Sequence, residues 1–338
     1  MTGGAGYVGS AVVRTLARSG YRPVVVDDLS AGHRAAAAGA PLLRARYGSR
    51  AVEAFLKRHR VGAVVHTAAF CLVAESVRDP ARYYANNVAQ GLAFLETLRR
   101  AGVRRLVFCS TAAVYGEPDS VPITEAQPPR PVNPYGETKA AFEAALRWYC
   151  EAYGLSAVAL RFFNAAGADG PHGEDHQTET HLIPKIMQHA LGQRRRVEVY
   201  GTDYPTPDGT AVRDYVHVLD LAEAHLLALR CRRRAGSFVA CNLGTGTGTS
   251  VREVLREVER ASGRSLRIVE RPRRAGDPAT LVASNLQARQ VLGWRPRRSF
   301  RTIVESAWRW HSSYPRGYAG YPRLVTARNA MLESMRGR

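Results

Sequence analysis

The sequence predicts an α/β protein built on a doubly wound parallel sheet, with a smaller mixed α/β lobe. Three observations support this fold class. The chain opens on a glycine-rich loop that runs directly into a helical pattern. Short apolar runs then alternate with helical patterns as far as about residue 161, which is typical of parallel βαβ units. Beyond about residue 165 polar and glycine-rich loops separate short helices, so the regular alternation ends there.

The length of 338 residues exceeds what one hydrophobic core usually serves, so one large or two unequal domains are expected. We predict a first domain of residues 1–164, to which a later strand near 237–243 returns. Residues 165–312 are predicted to form mainly the second lobe. Residues 313–338 are basic and weakly periodic, and are expected to form a surface tail.

Composition excludes several classes of protein. The 45% apolar and 23% charged residues are typical of a globular protein, and no apolar run reaches the roughly 18 residues of a membrane span. No secretion signal opens the chain, and the five cysteines show no paired spacing, which indicates reduced thiols and a cytoplasmic protein. The net charge of +19 comes almost entirely from arginine and is better explained by a genome-wide bias than by nucleic-acid binding.

The glycine-rich loop and the strand after it form the first candidate site. Gly3, Gly6 and Gly9 allow the backbone to approach a pyrophosphate, whose charge is met by the N-terminus of the helix predicted over residues 11–19. A buried strand over residues 24–26 then ends in Asp27. An acid at that position suits the ribose hydroxyls of NAD and repels the 2′-phosphate of NADP.

One element of this arrangement is missing from the sequence. The loop should follow a strand, yet only Met1 and Thr2 precede it. That first strand normally lies in the middle of a doubly wound sheet, so without it both neighbouring strands would lose a hydrogen-bonding edge inside the core. We therefore expect the first strand to be absent from this chain and about ten further residues to precede Met1 in the native protein.

The remaining elements follow in order. The pattern predicts helices over residues 51–60, 80–101, 220–230 and 251–262, and strands over residues 63–67, 106–110 and 156–161. A proline-rich loop over residues 121–134 precedes a further helix that begins near Tyr135. Ligands of parallel sheets bind at the carboxyl ends of the strands, and polar residues fall at those ends. These residues are Asp27, His66, Ser110, Thr111 and Asn164.

Tyr135 and Lys139 stand four residues apart, so on a helix they lie on the same face. A phenol has an ordinary pKa near about 10, too high for a base at neutral pH. A neighbouring ammonium stabilises the phenolate and lowers that pKa. The pair is therefore a candidate catalytic base, with ordinary helix residues as the alternative, since spacing alone cannot decide between the two.

The ordered set of glycine loop, Asp27, Thr111 and the Tyr135–Lys139 pair resembles the extended short-chain dehydrogenase/reductase superfamily. The remainder is similar to one family within it, the UDP-glucose (UDP-galactose) 4-epimerases, over residues 2 to about 311. The stretches that carry the resemblance are residues 203–210 (DYPTPDGT), 212–218 (VRDYVHV), 161–167 (RFFNAAG) and 273–277 (RRAGD).

The resemblance implies a Rossmann-like fold and an epimerisation at C4 of a UDP-hexose without net redox change, through a transient 4-keto sugar. Tyr135 would take the proton of the sugar 4-hydroxyl while C4 passes hydride to NAD. Thr111 would hydrogen-bond the 4-oxygen, and Lys139 would bind the nicotinamide ribose and lower the pKa of Tyr135. The hydride chemistry belongs to the cofactor.

The resemblance also implies a set of binding residues and a homodimer, and no metal site. The expected cofactor contacts are Gly3, Gly6, Tyr7, Val8, Gly9, Asp27, Asp28, Leu29, Ala68, Asn86, Ser110, Tyr135, Lys139 and Phe162. The expected substrate contacts are Thr111, Asn164, His181, Leu182, Tyr200, Arg213, Tyr215, Arg274 and Asp277, with Leu281 where the family tunes room for a sugar 2-substituent. Arginine suits phosphate because its planar fork pairs two oxygens at once.

Two positions on the cofactor side depart from the family pattern, and Thr111 stands where serine is common, which keeps the hydroxyl. Cys71 replaces a lysine near the NAD phosphates, which removes a cation, and Arg46 replaces an aspartate that contacts adenine. Alternatives therefore stay open: an epimerase of a UDP-pentose or a UDP-N-acetylhexosamine, or a catalytically impaired sugar-nucleotide-binding homologue. A 4,6-dehydratase is largely excluded, because Ala112 and Ala113 stand where that enzyme needs an acid–base pair.

Overall fold

The computed structural model describes residues 1–231, 233–274 and 276–320. Of the predicted surface tail, residues 321–338 lie outside this described part, and Gly317–Gly320 form a short 3-10 helix.

Thirteen strands and eleven α-helices make up the described chain. The strands are β1 Val25–Asp27, β2 Leu42–Arg44, β3 Val64–His66, β4 Arg105–Thr111, β5 Ser156–Phe162, β6 Asn164–Ala166, β7 Val197–Tyr200, β8 Val212–Arg213, β9 Tyr215–His217, β10 Phe238–Leu243, β11 Thr249–Ser250, β12 Ile268–Arg271 and β13 Thr280–Leu281. The helices are α1 Tyr7–Arg18, α2 Ala51–Arg58, α3 Val73–Arg78, α4 Pro80–Tyr83, α5 Gln90–Arg100, α6 Pro134–Tyr153, α7 Leu182–Ala190, α8 Val218–Arg230, α9 Val251–Ser262, α10 Leu286–Leu292 and α11 Phe300–Ser313.

The main sheet is parallel and confirms the predicted fold class. Strand β2 pairs with β1, and a second run of pairing joins β3, β4, β5 and β10. Thr2 forms parallel bridges to both Val26 of β1 and His66 of β3. The sheet therefore runs in the order β2, β1, Thr2, β3, β4, β5, β10, which is a doubly wound arrangement.

As expected, no regular strand precedes α1 in the described chain, yet the place of that strand in the sheet is filled. Residues 1–3 occupy its place: the Thr2 amide donates to the Val65 carbonyl at 3.0 Å, and the Gly3 amide donates to the Val26 carbonyl at 2.9 Å. Strands β1 and β3 are each only three residues long, so this short segment is enough to supply their backbone partners near the carboxyl ends. The expectation of further residues before Met1 stays a prediction.

Apolar residues on alternating positions of the strands face two separate cores. Val65, Val107 and Val158 pack with α1 and α8 on one face of the sheet. Val64 and Phe108 pack with α5 and α6 on the other face. Because side chains alternate across a strand, a parallel sheet covered by helices on both faces needs continuous apolar runs, as this sequence has.

The second lobe has its own core, in which α7, α9 and α11 pack against β7 and β9. Helix α8 contributes residues to the core of the main sheet although it follows residue 164 in the chain, and β10 pairs with β5. The division of the chain at residue 164 stays a prediction, since the main sheet collects elements from both sides of it.

The long helix predicted over residues 80–101 is interrupted. Helix α4 passes into a π-helical segment, Tyr84–Ala89, before α5 begins. The inserted turn directs Asn87 inward, where its side-chain amide donates to the Phe70 carbonyl and to Thr138 Oγ1. A single widened turn of this kind is often found at functional sites, and its hydrogen bonds hold the loop after β3 against α6.

Helix α6 has strong start and stop signals. The Asn133 side chain accepts a hydrogen bond from the Gly136 amide at 2.9 Å, and Pro134 occupies the first helical position. Gly154 ends the helix in the left-handed conformation, at φ 68°. Both features match the residue preferences of helix ends, so the sequence determines where the helix carrying Tyr135 begins.

No helix in the described part of the chain is both long enough and apolar enough to cross a membrane.

We predict that buried His225 makes the stability depend on pH. Burial lowers its pKa to about 4, whereas the unfolded chain takes up the proton near about pH 6.5. The contribution of neutral His225 to the unfolding free energy is therefore complete above about pH 6.5. It is lost as the pH falls toward 4, because the unfolded chain then gains the proton first. Replacing His225 by Leu should flatten the fall in unfolding free energy by about 1 kcal/mol per pH unit in this window, as measured by urea unfolding. Leu286→Gln, at an exposed position of α10, is the control and should leave the slope unchanged.

Candidate functional site

A cavity of about 1320 Å³ lies at the carboxyl ends of the parallel strands, between the main sheet and the second lobe. The candidate residues from both ends of the predicted site line this one space. On the cofactor side these are Gly3, Gly6, Tyr7, Val8, Gly9, Asp27, Asp28, Ala68, Asn86, Tyr135, Lys139 and Phe162, and on the substrate side Thr111, Asn164, His181, Leu182, Tyr200, Arg213, Tyr215, Arg274, Asp277 and Leu281. The fold therefore brings together residues as far apart in the sequence as Gly3 and Leu281.

The glycine loop is tightly folded at the start of α1. A Cβ atom at Gly9 would lie 1.9 Å from the Gly3 carbonyl oxygen, and one at Gly3 would lie 2.6 Å from the Ala68 amide. Gly6 precedes the helix and has no side chain to cap it, so the first amides of α1 receive no side-chain hydrogen bond from the N-cap residue. This is the geometry of a phosphate-binding turn at a helix N-terminus, and it fits a dinucleotide.

Asp27 lies at the end of β1 and is 8% exposed. Its two carboxylate oxygens accept hydrogen bonds from the Ala5 and Leu29 amides, each at 2.9 Å. Burial raises the pKa of this carboxyl, and the two amides lower it. These bonds aim the carboxylate at the cavity beside the glycine loop, where ribose hydroxyls would need an acceptor.

Three of the residues named near the strand ends do not present side chains to the cavity. The backbone amide of Leu29 donates to Asp27, and Leu29 is not one of the described residues that line the cavity. The Ser110 hydroxyl is buried and donates to Glu143 at 2.5 Å, so its side chain belongs to the core. His66 is buried among Tyr47, Phe94 and Phe108, since strand residues alternate in direction.

Tyr135 and Lys139 lie on the same face of α6, and both face the cavity. The Lys139 ammonium donates to the Cys109 carbonyl at 2.7 Å and lies 4.7 Å above the Phe108 ring. The Thr111 side chain, at the end of β4, lies close enough to Tyr135 to lower the pKa of its phenol. The three predicted catalytic residues therefore converge on one point.

The surroundings of Tyr135 shift the pKa of its phenol. Burial raises the pKa well above its ordinary value, and the Thr111 side chain acts in the opposite direction. Burial also lowers the pKa of Lys139 itself, to about 8. Burial opposes the charge of the phenolate, so the lowering of the Tyr135 pKa by Lys139 stays a prediction.

At the far end of the cavity, aromatic and charged side chains lie in pairs. Arg213 forms an ion pair with Asp277, and the Arg274 guanidinium stacks 3.9 Å from the centre of the Tyr200 ring. The Tyr200 hydroxyl donates to Glu198 at 2.8 Å. Paired and stacked in this way, the arginines hold their planar guanidinium groups in defined orientations, which suits recognition of a diphosphate and a flat base.

His181 belongs to a cluster with Glu174, His176 and Glu179, whose possible metal-ligand atoms all lie within 4.8 Å of one another. The His181 Nδ1 atom is 2.9 Å from Glu174 and 3.0 Å from Glu179. Burial would lower the pKa of His181, but the two carboxylates outweigh it and raise the pKa to about 11. The pKa of His176 is raised as well, because the lowering effect of burial is outweighed by the same two carboxylates. The pairing of two histidines with two glutamates therefore fixes the loop that precedes α7.

The two positions that depart from the family pattern also line the cavity. Cys71 is exposed, and its thiol carries no positive charge in either protonation state, so it cannot replace an ammonium. Arg46 is an exposed side chain on the same side as Asp28. Both changes alter charge at the cofactor end, and Cys71 also interacts with Tyr135 and Lys139.

Two supporting residues were missed by sequence reasoning. Buried Asp214 accepts hydrogen bonds from the amides of Thr245, Gly246 and Ala283, which holds the chain beside Arg213. Asn87 joins the loop after β3 to α6. A buried carboxylate or amide leaves no periodic signal, although the acid beside Arg213 in the VRDYVHV stretch could have been noted.

Fold and site together define a nucleotide-dependent enzyme with a Rossmann-like sheet and a tyrosine–lysine helix facing the cofactor cleft. The chain belongs to the NAD dependent epimerase/dehydratase family, whose family model matches residues 1–244.

Individual relatives are similar over nearly the whole chain. The UDP-glucose 4-epimerase of Streptomyces lividans is 50% identical over 321 residues, which cover 94% of this chain and 97% of that protein. The crystal structure of UDP-glucose 4-epimerase from Brucella ovis in complex with NAD has a TM-score of 0.88 and 45% identity, covering 91% of this chain and 96% of its own. The Bifidobacterium longum enzyme in complex with NAD+ and UDP has a TM-score of 0.89 and 33% identity, covering 94% and 98%.

We predict that Gly9→Ala weakens cofactor binding. The new methyl group would overlap the Gly3 carbonyl, and overpacking of this kind costs about 1–3 kcal/mol. The dissociation constant for NAD should rise by about tenfold to hundredfold, as measured by isothermal titration calorimetry. Gly62→Ala is the matched control, because a Cβ atom there has nothing within 4 Å. Equal NAD affinity of the two variants would contradict the assignment of the loop.

Proposed function

We propose that this chain interconverts UDP-glucose and UDP-galactose by NAD-dependent epimerisation at C4. The observation that carries the proposal is the single cavity in which Tyr135, Lys139 and Thr111 meet at the glycine-loop side and Arg213, Asp277, Tyr200 and Arg274 lie on the other. Such a cavity can hold a dinucleotide and a sugar nucleotide together. The near full-length similarity to UDP-glucose 4-epimerases supports the choice of reaction.

The reaction requires a base at the sugar 4-hydroxyl and a hydride acceptor at C4. NAD, when bound, supplies the reversible hydride acceptor. Tyr135 takes the proton from the 4-hydroxyl as the C4–H bond breaks. After the ketone has rotated within the site, Tyr135 returns the proton to the 4-oxygen as C4 regains hydride on its opposite face. Thr111, whose side chain lowers the pKa of Tyr135, holds the 4-oxygen and stabilises the phenolate. The sugar therefore inverts at C4 with no net oxidation.

Lys139 has two tasks in this scheme. With a pKa of about 8, it is protonated in most molecules at neutral pH and can donate to the nicotinamide ribose. Its charge beside the cofactor then opposes the effect of burial on Tyr135, because a positive charge favours a phenolate. We infer that Gly3, Gly6, Tyr7, Val8, Gly9, Asp27, Asp28, Leu29, Ala68, Asn86, Ser110 and Phe162 contact the rest of the cofactor, Leu29 and Ser110 through the backbone.

The second group of residues holds the nucleotide while the sugar moves. Arg213, Arg274 and Asn164 bind the diphosphate or sugar, Asp277 accepts from the uridine ribose, and Tyr200 flanks the base. His181, Leu182 and Tyr215 complete the wall, and Leu281 borders the sugar 2-position. Holding UDP at one end leaves the ketone free to present either face to the cofactor.

The decisive test is conversion of UDP-galactose to UDP-glucose by the purified NAD-loaded protein, followed by chromatography of the products. Tyr135→Phe should lower kcat by about 10²–10⁴-fold, the usual contribution of a general base, with UDP affinity unchanged. NAD and UDP binding without turnover in the unmodified chain would favour an impaired homologue, and turnover of a UDP-pentose or UDP-N-acetylhexosamine alone would identify a different substrate. Near-normal activity of Tyr135→Phe would refute its role as the base.

We further propose that the protein acts as a cytoplasmic homodimer that binds no nucleic acid. The five cysteines are all free, as in a reducing compartment. Large apolar side chains are exposed on the helices around the π-helical turn: Val73, Val77, Tyr84, Leu92, Trp148 and Tyr153. Helices α5 and α6 pack together and carry three of these residues, so they offer a surface for a second copy of the chain.

Sedimentation should therefore give twice the chain mass for the unmodified protein. Trp148 is 69% exposed, and Trp148→Glu places a charge on this surface, so the variant should shift to the monomer mass. Ile268→Glu, an exposed apolar position on β12 in the second lobe, serves as the control and should remain dimeric. A monomeric unmodified protein would rule the proposal out.

A further inference from the structure

A buried ion pair lies directly behind the catalytic residues of α6. Glu143 follows Lys139 by four residues and Tyr135 by eight, so all three project from one face of the helix. Glu143 is 2% exposed and Arg161, on β5, is 1% exposed. The Arg161 guanidinium donates through Nε to one Glu143 oxygen at 3.0 Å and through Nη2 to the other at 2.5 Å. This is a two-point contact with a defined geometry.

The same carboxylate also reaches β4. The Ser110 hydroxyl donates to Glu143 at 2.5 Å, and Ser110 is the neighbour of Thr111. Glu143 therefore joins α6 to the carboxyl ends of two adjacent strands. One is β4, which ends in Thr111, and the other is β5, which leads into Asn164. Lys139 makes a second contact with β4, to the Cys109 carbonyl.

The network continues beyond the ion pair. Arg161 Nη1 donates to the Tyr115 hydroxyl at 2.8 Å, and Tyr115 donates to Asn242 on β10 at 2.7 Å. Tyr115 follows the short 3-10 turn after Thr111, so the loop beyond the catalytic threonine is held by the same group of atoms. Each buried polar atom in this chain of contacts has a partner, which makes the arrangement rigid.

We propose that Glu143 is a positioning residue that sets the distance between Tyr135 on α6 and Thr111 on β4. This inference rests on the proposed function. Lys139 lines the cavity, so its contact with β4 is exposed to competition from a bound cofactor ribose. The Glu143 contacts face the core and do not meet the cavity, so they persist throughout the reaction. A misplacement of catalytic groups by about 1 Å can lower a rate by about a hundredfold.

Two substitutions separate position from charge. Glu143→Gln keeps the shape and removes the charge, whereas Glu143→Asp keeps the charge and shortens the side chain. We expect both to lower kcat by about tenfold to a hundredfold, with the KM for UDP-galactose nearly unchanged, because the arginines that hold UDP lie elsewhere. Crystal structures of the NAD-bound variants should show a longer distance from Tyr135 Oη to Thr111 Oγ1 than in the unmodified protein.

Asp220→Asn is the matched control. Asp220 is a fully buried carboxylate paired with Arg298, but it belongs to α8 and does not touch α6 among the described residues. Its loss should lower the melting temperature without changing kcat. If Glu143→Gln is too unstable to purify, Ser110→Ala removes one of the three hydrogen bonds and should give a smaller change in the same direction.

Two results would overturn the inference: an unchanged Oη–Oγ1 distance in the variants, or a kcat that stays normal while stability falls as in Asp220→Asn. The distance measurement does not require turnover. If the unmodified protein fails to convert UDP-galactose, the proposed reaction is refuted and the role of Glu143 is still decided by the structures.

Discussion

Helix α6 is held against the carboxyl end of β4 by Lys139, whose ammonium donates to the Cys109 carbonyl at 2.7 Å. Glu143 adds a second attachment one helical turn further on. The chemistry of the site depends on this helix–strand contact, because Tyr135 belongs to the helix and Thr111 to the strand. The tyrosine can act as a base toward a sugar held by the threonine only if the two elements keep their relative position.

Burial has opposite consequences for the two partners of the tyrosine–lysine pair. It raises the pKa of Tyr135 and lowers that of Lys139 to about 8, so both groups are moved toward their neutral forms. An uncharged pair costs less in a low-dielectric interior than a charged one. The phenolate therefore needs help from Thr111 and from positive charge beside it at the moment of proton transfer.

Much of the architecture could be predicted from residue patterns. The strands at residues 63–67, 106–110 and 156–161 and the helix over Val251–Ser262 follow from apolar periodicity and capping residues, which act locally. The π-helical turn at Tyr84–Ala89 could not be predicted, because one extra residue in a turn barely disturbs the periodicity. The bridging role of Thr2 was also missed, since a strand of one paired residue has no sequence pattern.

The sequence by itself determined which residue types carry the chemistry: the glycine loop, Asp27, Thr111, Tyr135 and Lys139, and the arginines of the later motifs. Their spacing and order identify the family because close approach to phosphate and base catalysis each tolerate few side chains. Only the tertiary structure decided which polar residues face the cavity. Ser110 and Thr111 are neighbours, yet one hydroxyl enters the core to meet Glu143 and the other meets Tyr135. Adjacent side chains of a strand point to opposite faces of the sheet. Which of these side chains borders the cavity depends on how distant parts of the chain pack together.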